Sequence, residues 1–171
     1  MNNALKKVFL IVLVSGISFM TKAQGFGPEP GFKQVNFGVG VSTWGVPIYA
    51  GMDFGVSDKI TIGPRISYRR YDYGRWTSNR YHSSIFNISF RGDYHYSAHI
   101  DALPDQLDLY GGLSLGYSAW SDKYEYFSNH DGIFLNVQAG ARWYFHQNWG
   151  FNAEVSTGSF SGLEIGMSYR F

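Results

Sequence analysis

With 171 residues, the chain is long enough for one domain and short for two. A formal charge of +1 excludes a strongly basic nucleic-acid binder, so no nucleic-acid partner is expected. The absence of cysteine excludes a disulfide framework and a thiolate metal site.

The N-terminus carries an export signature. Lys6 and Lys7 precede an apolar run, Val8 to Phe19, that falls short of the roughly 20 residues a membrane helix needs. Thr21-Lys22-Ala23 then offers a small-x-small cleavage site. Residues 1–23 are expected to form a cleaved signal peptide; the alternative is a short N-terminal membrane anchor. No cysteine follows the run, so lipid attachment is not expected. Residues 24–33, which contain glycine and proline, read as a loose periplasmic leader.

Residues 34–171 show no convincing helical periodicity. A period of two recurs instead, the side-chain period of a strand. Val35, Phe37, Val39 and Val41 alternate with Asn36, Gly38, Gly40 and Ser42. Ala50, Met52, Phe54 and Val56 make a second strand, and Ile60, Ile62, Pro64, Ile66 and Tyr68 a third. Pro64 lacks a ladder donor, so an irregularity is expected there. Phe86 to Tyr96, Leu107 to Tyr117, Ile133 to Trp143, Trp149 to Val155 and Leu163 to Phe171 repeat the pattern, giving about eight strands. Ser57-Asp58-Lys59, Ala102 to Gln106 and His146-Gln147-Asn148 are short polar links at one end. The other end carries two long links, roughly Arg70 to His82 and Ser118 to Asp131, and two short ones. That asymmetry fits a membrane barrel with periplasmic turns and extracellular loops.

The composition of the two faces decides which looks outward. A water-facing sheet usually carries lysine and other charges at its edges. Here the polar face holds Gly, Ser and Asn, with Arg65, Arg69, Arg91, Arg142 and Arg170 balanced by Asp53, Asp93, Asp108, Glu154 and Glu164. Small residues and paired charges suit a narrow barrel interior, where an isolated charge is very costly. The apolar face then meets lipid, and closure satisfies every backbone polar group. Tyr94, Tyr96, Trp143, Phe145, Trp149, Tyr169 and Phe171 near the turn end, and Trp44, Tyr68, Tyr117 and Trp120 near the other, read as two interfacial belts. The alternative is a soluble barrel or sandwich in which these aromatics form the core.

Catalytic and metal chemistry find little support. His82 with Ser83 and Ser84, and Ser128 with His130 and Asp131, supply nucleophile and base types without a spacing that implies a triad. His95 and His99 could share a strand face as metal ligands, but a third ligand is lacking. No cofactor is expected. The long loops are richer: Tyr73, Arg75, Trp76 and Arg80 in the first, and Tyr124, Glu125, Tyr126 and Phe127 in the second. Aromatic and arginine side chains dominate binding hot spots, so these eight are a candidate surface for an unidentified extracellular ligand. They could equally pair with one another and cap the barrel.

LDLYGGLSLGY (Leu107 to Tyr117), AGARWYFHQNWGFNAEVS (Ala139 to Ser156), LEIGMSYRF (Leu163 to Phe171) and VSDKITIGPRISYR (Val56 to Arg69) resemble the small outer-membrane β-barrels of the OmpA/OmpX-like type. The resemblance is one of pattern and spans nearly the whole exported chain. It implies an all-β fold, an eight-stranded antiparallel up-and-down transmembrane barrel in the outer membrane. It implies outer-membrane lipids and lipopolysaccharide as surroundings. During biogenesis, periplasmic chaperones and the barrel-assembly machinery would be partners, with Tyr169 and Phe171 as the insertion signal. Larger relatives carry a periplasmic peptidoglycan-binding domain, which is not expected after Phe171. The resemblance implies no single activity. A structural or surface-interaction role leads; a narrow pore or hydrophobic conduit is the alternative, ahead of a lipid-modifying enzyme or a soluble lipocalin-like binder.

Overall fold

In the computed structural model, the described residues are 28–73, 81–100, 102–121 and 131–171. The expected signal peptide and the first part of the leader lie outside them. Eight strands are formed among the described residues: β1 (Lys33–Ser42), β2 (Val46–Ser57), β3 (Ile60–Tyr73), β4 (Tyr81–His95), β5 (Leu107–Trp120), β6 (Gly132–Tyr144), β7 (Trp149–Gly158) and β8 (Gly162–Arg170). Each pairs antiparallel with the next, and β8 pairs with β1, from Gln34 opposite Arg170 to Ser42 opposite Gly162. The result is a closed barrel with no free sheet edge.

The outside is apolar and the inside polar. Val39, Ile48, Ile66, Ile88, Leu115, Leu135, Val155 and Ile165 are all exposed, from every side of the barrel. Arg91, Arg142, Asp53, Asp93, Asp108 and Glu154 are buried. A water-soluble barrel has the reverse arrangement. An apolar band around a closed sheet, with every strand paired on both sides, meets the two conditions a lipid bilayer imposes.

The connections do not sort cleanly by end. β2–β3 and β6–β7 turn within a few residues and β5–β6 at the opposite end spans residues 121–131, but β3–β4 is only residues 74–80, because the two strands stay paired through the expected link as far as Tyr73 opposite Tyr81. The link between β4 and β5 is longer than the sequence suggested. The ladder stops at His95, and a short 3₁₀ turn at Ser97–His99 follows, stabilised by a bond from the His99 N–H to the Tyr96 carbonyl. The leader is not loose throughout. Gly31 N–H donates to the Gly55 carbonyl, Gly55 N–H returns a bond to Phe32, and the Arg170 guanidinium lies 4.8 Å above the Phe32 ring. β3, β4 and β5 have 14, 15 and 14 residues, more than the roughly 9–11 a spanning strand needs. They therefore extend beyond the span a bilayer needs.

Pro64 keeps its place opposite Phe90 on β4. Towards β2 the ladder is recorded up to Gly51 opposite Arg65 and resumes at Phe54 opposite Ile62, with the same register on both sides. The missing N–H thus interrupts the pairing without shifting it, and the true register shift lies at Gly55/Ser57 beside the turn.

The turn-end belt is a set of ring contacts: Trp149 with Tyr169 at 4.7 Å, Tyr169 with Phe171 at 5.2 Å, Phe145 with Phe151 at 4.7 Å and Tyr94 with Tyr96 at 5.2 Å. The loop-end belt is smaller than expected. Tyr68 and Tyr117 face outward, but Trp44 and Trp120 pack edge-on at 5.3 Å and lean on Ile85, Phe134 and Phe160 at the barrel mouth. Trp120 shares the parity of the inward residues Asp108 to Ser118 on β5, and Trp44 sits on the turn that closes β1–β2. The loop end of the interior is thus apolar.

Candidate functional site

The barrel interior is where the chain's charged chemistry collects. Alternation on each strand decides which side chains enter, and stagger between strands sets their depth. At the turn end, Tyr144 donates to Gln34 Oε1, and Gln34 Nε2 donates to Asn36 Oδ1 at 2.7 Å. Beside them His95 Nδ1 lies 2.8 Å from Asp108 Oδ1, while its Nε2 is 3.0 Å from Thr61 Oγ1. Ser97 Oγ also donates to Asp108, at 3.1 Å.

The next layer is built on Arg142. Its Nη2 donates to Asp53 Oδ2 at 2.5 Å, and Nη1 approaches Asp108 Oδ2 at 3.5 Å. Asn36 Nδ2 also donates to Asp53, at 2.8 Å. Above this, Arg91 donates from Nε to Asp93 Oδ2 and from Nη2 to Glu154 Oε2, both at 2.7 Å. Glu154 is the hub: it also accepts from Arg65 Nη1 and from the Tyr110 hydroxyl, each at 2.9 Å. The second Arg65 nitrogen bonds Glu164. Arg65, Arg91 and Arg142 therefore each contact two carboxylates, the condition under which buried charge is tolerated.

Two tyrosines cross this interior over glycines. Tyr49 reaches from β2 past Gly38 and Gly166 to donate to Asn152 Oδ1 at 2.6 Å, with the Arg65 guanidinium 4.2 Å above its ring. Tyr110 lies against Gly140 on its way to Glu154. A side chain on any of those three glycines would occupy the tyrosine's path. This explains glycine inside strands, where it is otherwise unfavourable.

Above the ion pairs, Arg69 differs from the others. It donates to two serine hydroxyls, Ser42 at 3.0 Å and Ser67 at 3.3 Å, and stacks 4.8 Å from Phe160. Arg170, on the same polar face of the sequence, lies at the turn end beside Phe32.

His95 and His99 are not brought together. His95 points inward, whereas His99 stacks on Tyr94 outside, with the tyrosine oxygen 2.5 Å from its Nε2. Ser84 Oγ is 2.9 Å from the Tyr68 hydroxyl. Thr61, His95 and Asp108 do reproduce the order hydroxyl–imidazole–carboxylate of a nucleophilic triad, which sequence spacing missed. All three are at most 2% exposed. The array ties β3, β4 and β5 together inside the barrel. Of the loop residues, Tyr73 ends β3 opposite Tyr81. Arg75, Trp76, Arg80, Tyr124, Glu125, Tyr126 and Phe127 lie outside the described residues.

No protein-family model matches the chain, and no curated protein matches it in sequence. Solved structures do match in shape. The outer membrane protein OprG from Pseudomonas aeruginosa superposes with a TM-score of 0.64 at 12% identity, over 85% of this chain and 98% of that one. Neisserial surface protein A gives 0.56 at 12% identity, over 82% and 96%. A de novo designed transmembrane β-barrel gives 0.54 at 18%, over 85% and 100%. Identities this low speak for the fold alone, and a designed neighbour underlines that this fold exists without an evolved activity. The chain has the fold of the small eight-stranded transmembrane β-barrels, of which OprG is an outer-membrane example.

Proposed function

We propose that the protein is an outer-membrane barrel of non-enzymatic character that anchors surface loops, with a structural and surface-interaction role. One observation carries this reading: the interior is filled by its own ion pairs and crossing tyrosines, so the barrel serves as a rigid plug. What remains to interact with the outside is the loop end. There the longest strands, β3 to β5, lead in sequence into the two loop segments 74–80 and 122–130. Their sequences are aromatic and basic in the first, and aromatic and acidic in the second. The ligand class is a protein or glycan surface met through Tyr, Trp and Arg. Lipopolysaccharide is the surrounding outer-leaflet lipid in this reading. Tyr169 and Phe171, packed edge to face in the turn-end belt, are the segment offered to the barrel-assembly machinery and its chaperones.

The competing reading is a narrow pore or conduit. Planar-bilayer recording separates the two: this account expects no stable unitary conductance, and a reproducible, well-defined step would favour the pore. For the surface role, excising residues 124–129 is expected to abolish binding of cells to a protein or glycan surface while the barrel still inserts. Unchanged adhesion across a ligand panel would remove the interaction part of the proposal.

A further inference from the structure

Arg69 is the anomaly of the interior. It is only 4% exposed, yet no carboxylate pairs with it among the described residues. Arg65, Arg91 and Arg142 each contact two carboxylates, but Arg69 has only neutral acceptors. Its Nη1 donates to Ser42 Oγ, and Nη2 donates to Ser67 Oγ. With the Asn87 amide turned so that its oxygen faces the guanidinium, Nη2 also reaches Asn87 at 3.3 Å. The Arg69 Nε–H is buried and bonds to nothing among the described residues, as is true of the Arg142 Nε–H, but Arg142 has its carboxylates. The nearby Glu164 and Glu154 are already committed, Glu164 to Arg65 and Glu154 to Arg65 and Arg91.

A buried guanidinium without a counter-charge is costly unless an anion completes it. Arg69 borders a small chamber of about 40 Å³; serine, asparagine and glutamine make most of its polar wall, Phe134 and Phe160 also line it, and the Glu154 and Glu164 carboxylates reach it already paired with Arg65. Roughly 10–15 Å³ of such space holds one water, so the chamber admits one small ion with a water or two, and excludes a sugar or a lipid headgroup. With Glu154 and Glu164 held by Arg65 and Arg91, the hydroxyl and amide groups around the Arg69 guanidinium suit a small monovalent anion. We propose that Arg69 and this chamber form a binding site for a small monovalent anion, either a halide such as chloride or a small carboxylate.

The test uses the full folded barrel in zwitterionic detergent micelles. Its unfolding midpoint is compared in chloride, acetate and gluconate salts at equal ionic strength. A site at ten times its dissociation constant is expected to raise the midpoint by roughly 4 °C in chloride or acetate over gluconate, which is too large to enter. Chloride alone acting would identify a halide site, and acetate acting equally a carboxylate site. Arg69→Gln is expected to erase the difference, and Arg69→Lys to keep part of it. Ser42→Ala, a milder change that leaves the arginine in place, is expected to weaken the response several-fold. Excess line broadening of the chloride-35 resonance by the native barrel, lost in Arg69→Gln, reads the same site directly. Equal midpoints in all three salts, or an undiminished chloride preference and line broadening in Arg69→Gln, would overturn the proposal.

Discussion

Glu154→Ala is expected to destabilise the folded barrel by about 3–5 kcal/mol, the usual cost of leaving buried charges without their partner. The reason is local. One carboxylate holds Arg65, Arg91 and the Tyr110 hydroxyl at 2.7–2.9 Å, so its removal strands two guanidinium groups at once. Arg65 retains Glu164 and Arg91 retains Asp93, which keeps the loss from being larger. Glu154→Gln preserves the shape but not the charge, and is expected to fall between the native chain and Glu154→Ala. A urea titration in lipid vesicles, read by the ratio of compact to unfolded gel bands, measures all three. Equal stability of Glu154→Ala and the native chain would mean that water already screens these charges and that the interior is open.

Gly166→Val is expected to prevent closure altogether. A Cβ at Gly166 would press on the backbone oxygen of Phe37, and one at Gly38 on that of Ile165, because the two glycines face each other across the β1–β8 seam. Backbone oxygens in a ladder cannot step aside as a flexible side chain does. The same Cβ atoms would also meet the Tyr49 hydroxyl. The seam is the pairing that turns a sheet into a barrel, and a lipid-exposed sheet edge is untenable. Gly92→Ala is the matched control. There the nearest heavy atom to a new Cβ is Ile62 Cγ2 at 3.9 Å, so stability is expected to change by no more than about 0.5 kcal/mol. Both are scored by the yield of folded protein on refolding into vesicles. Native-like folding of Gly166→Val would show that the seam can be repacked.

Much of the barrel was legible because its two faces differ so sharply. Period two, an even strand number and the lysine-poor polar face were enough to turn the apolar side outward. What alternation could not supply is depth. It told that Arg65 and Glu154 share a face, but not that they meet across the lumen from β3 to β7. A charge inventory also overlooks the neutral partners. Gln34, Asn36, Asn152, Tyr110 and Tyr144 carry many of the bonds, and each follows the inward parity of its strand. Trp44 and Trp120 were misplaced because membership of a belt was judged from position along the strand, while parity already turned Trp120 inward. Arg69 was grouped with its neighbours by charge. Only the three-dimensional arrangement shows that it has no acidic partner among the described residues.

The central claim is that this chain forms a closed barrel with its apolar face in lipid. Gel mobility of the membrane-extracted protein, with and without boiling, tests it most directly. The account predicts a compact band in the unboiled sample that shifts to the unfolded position on heating, with the protein recovered in the outer-membrane fraction. A single band under both conditions, with the protein in the soluble periplasmic fraction, would contradict it.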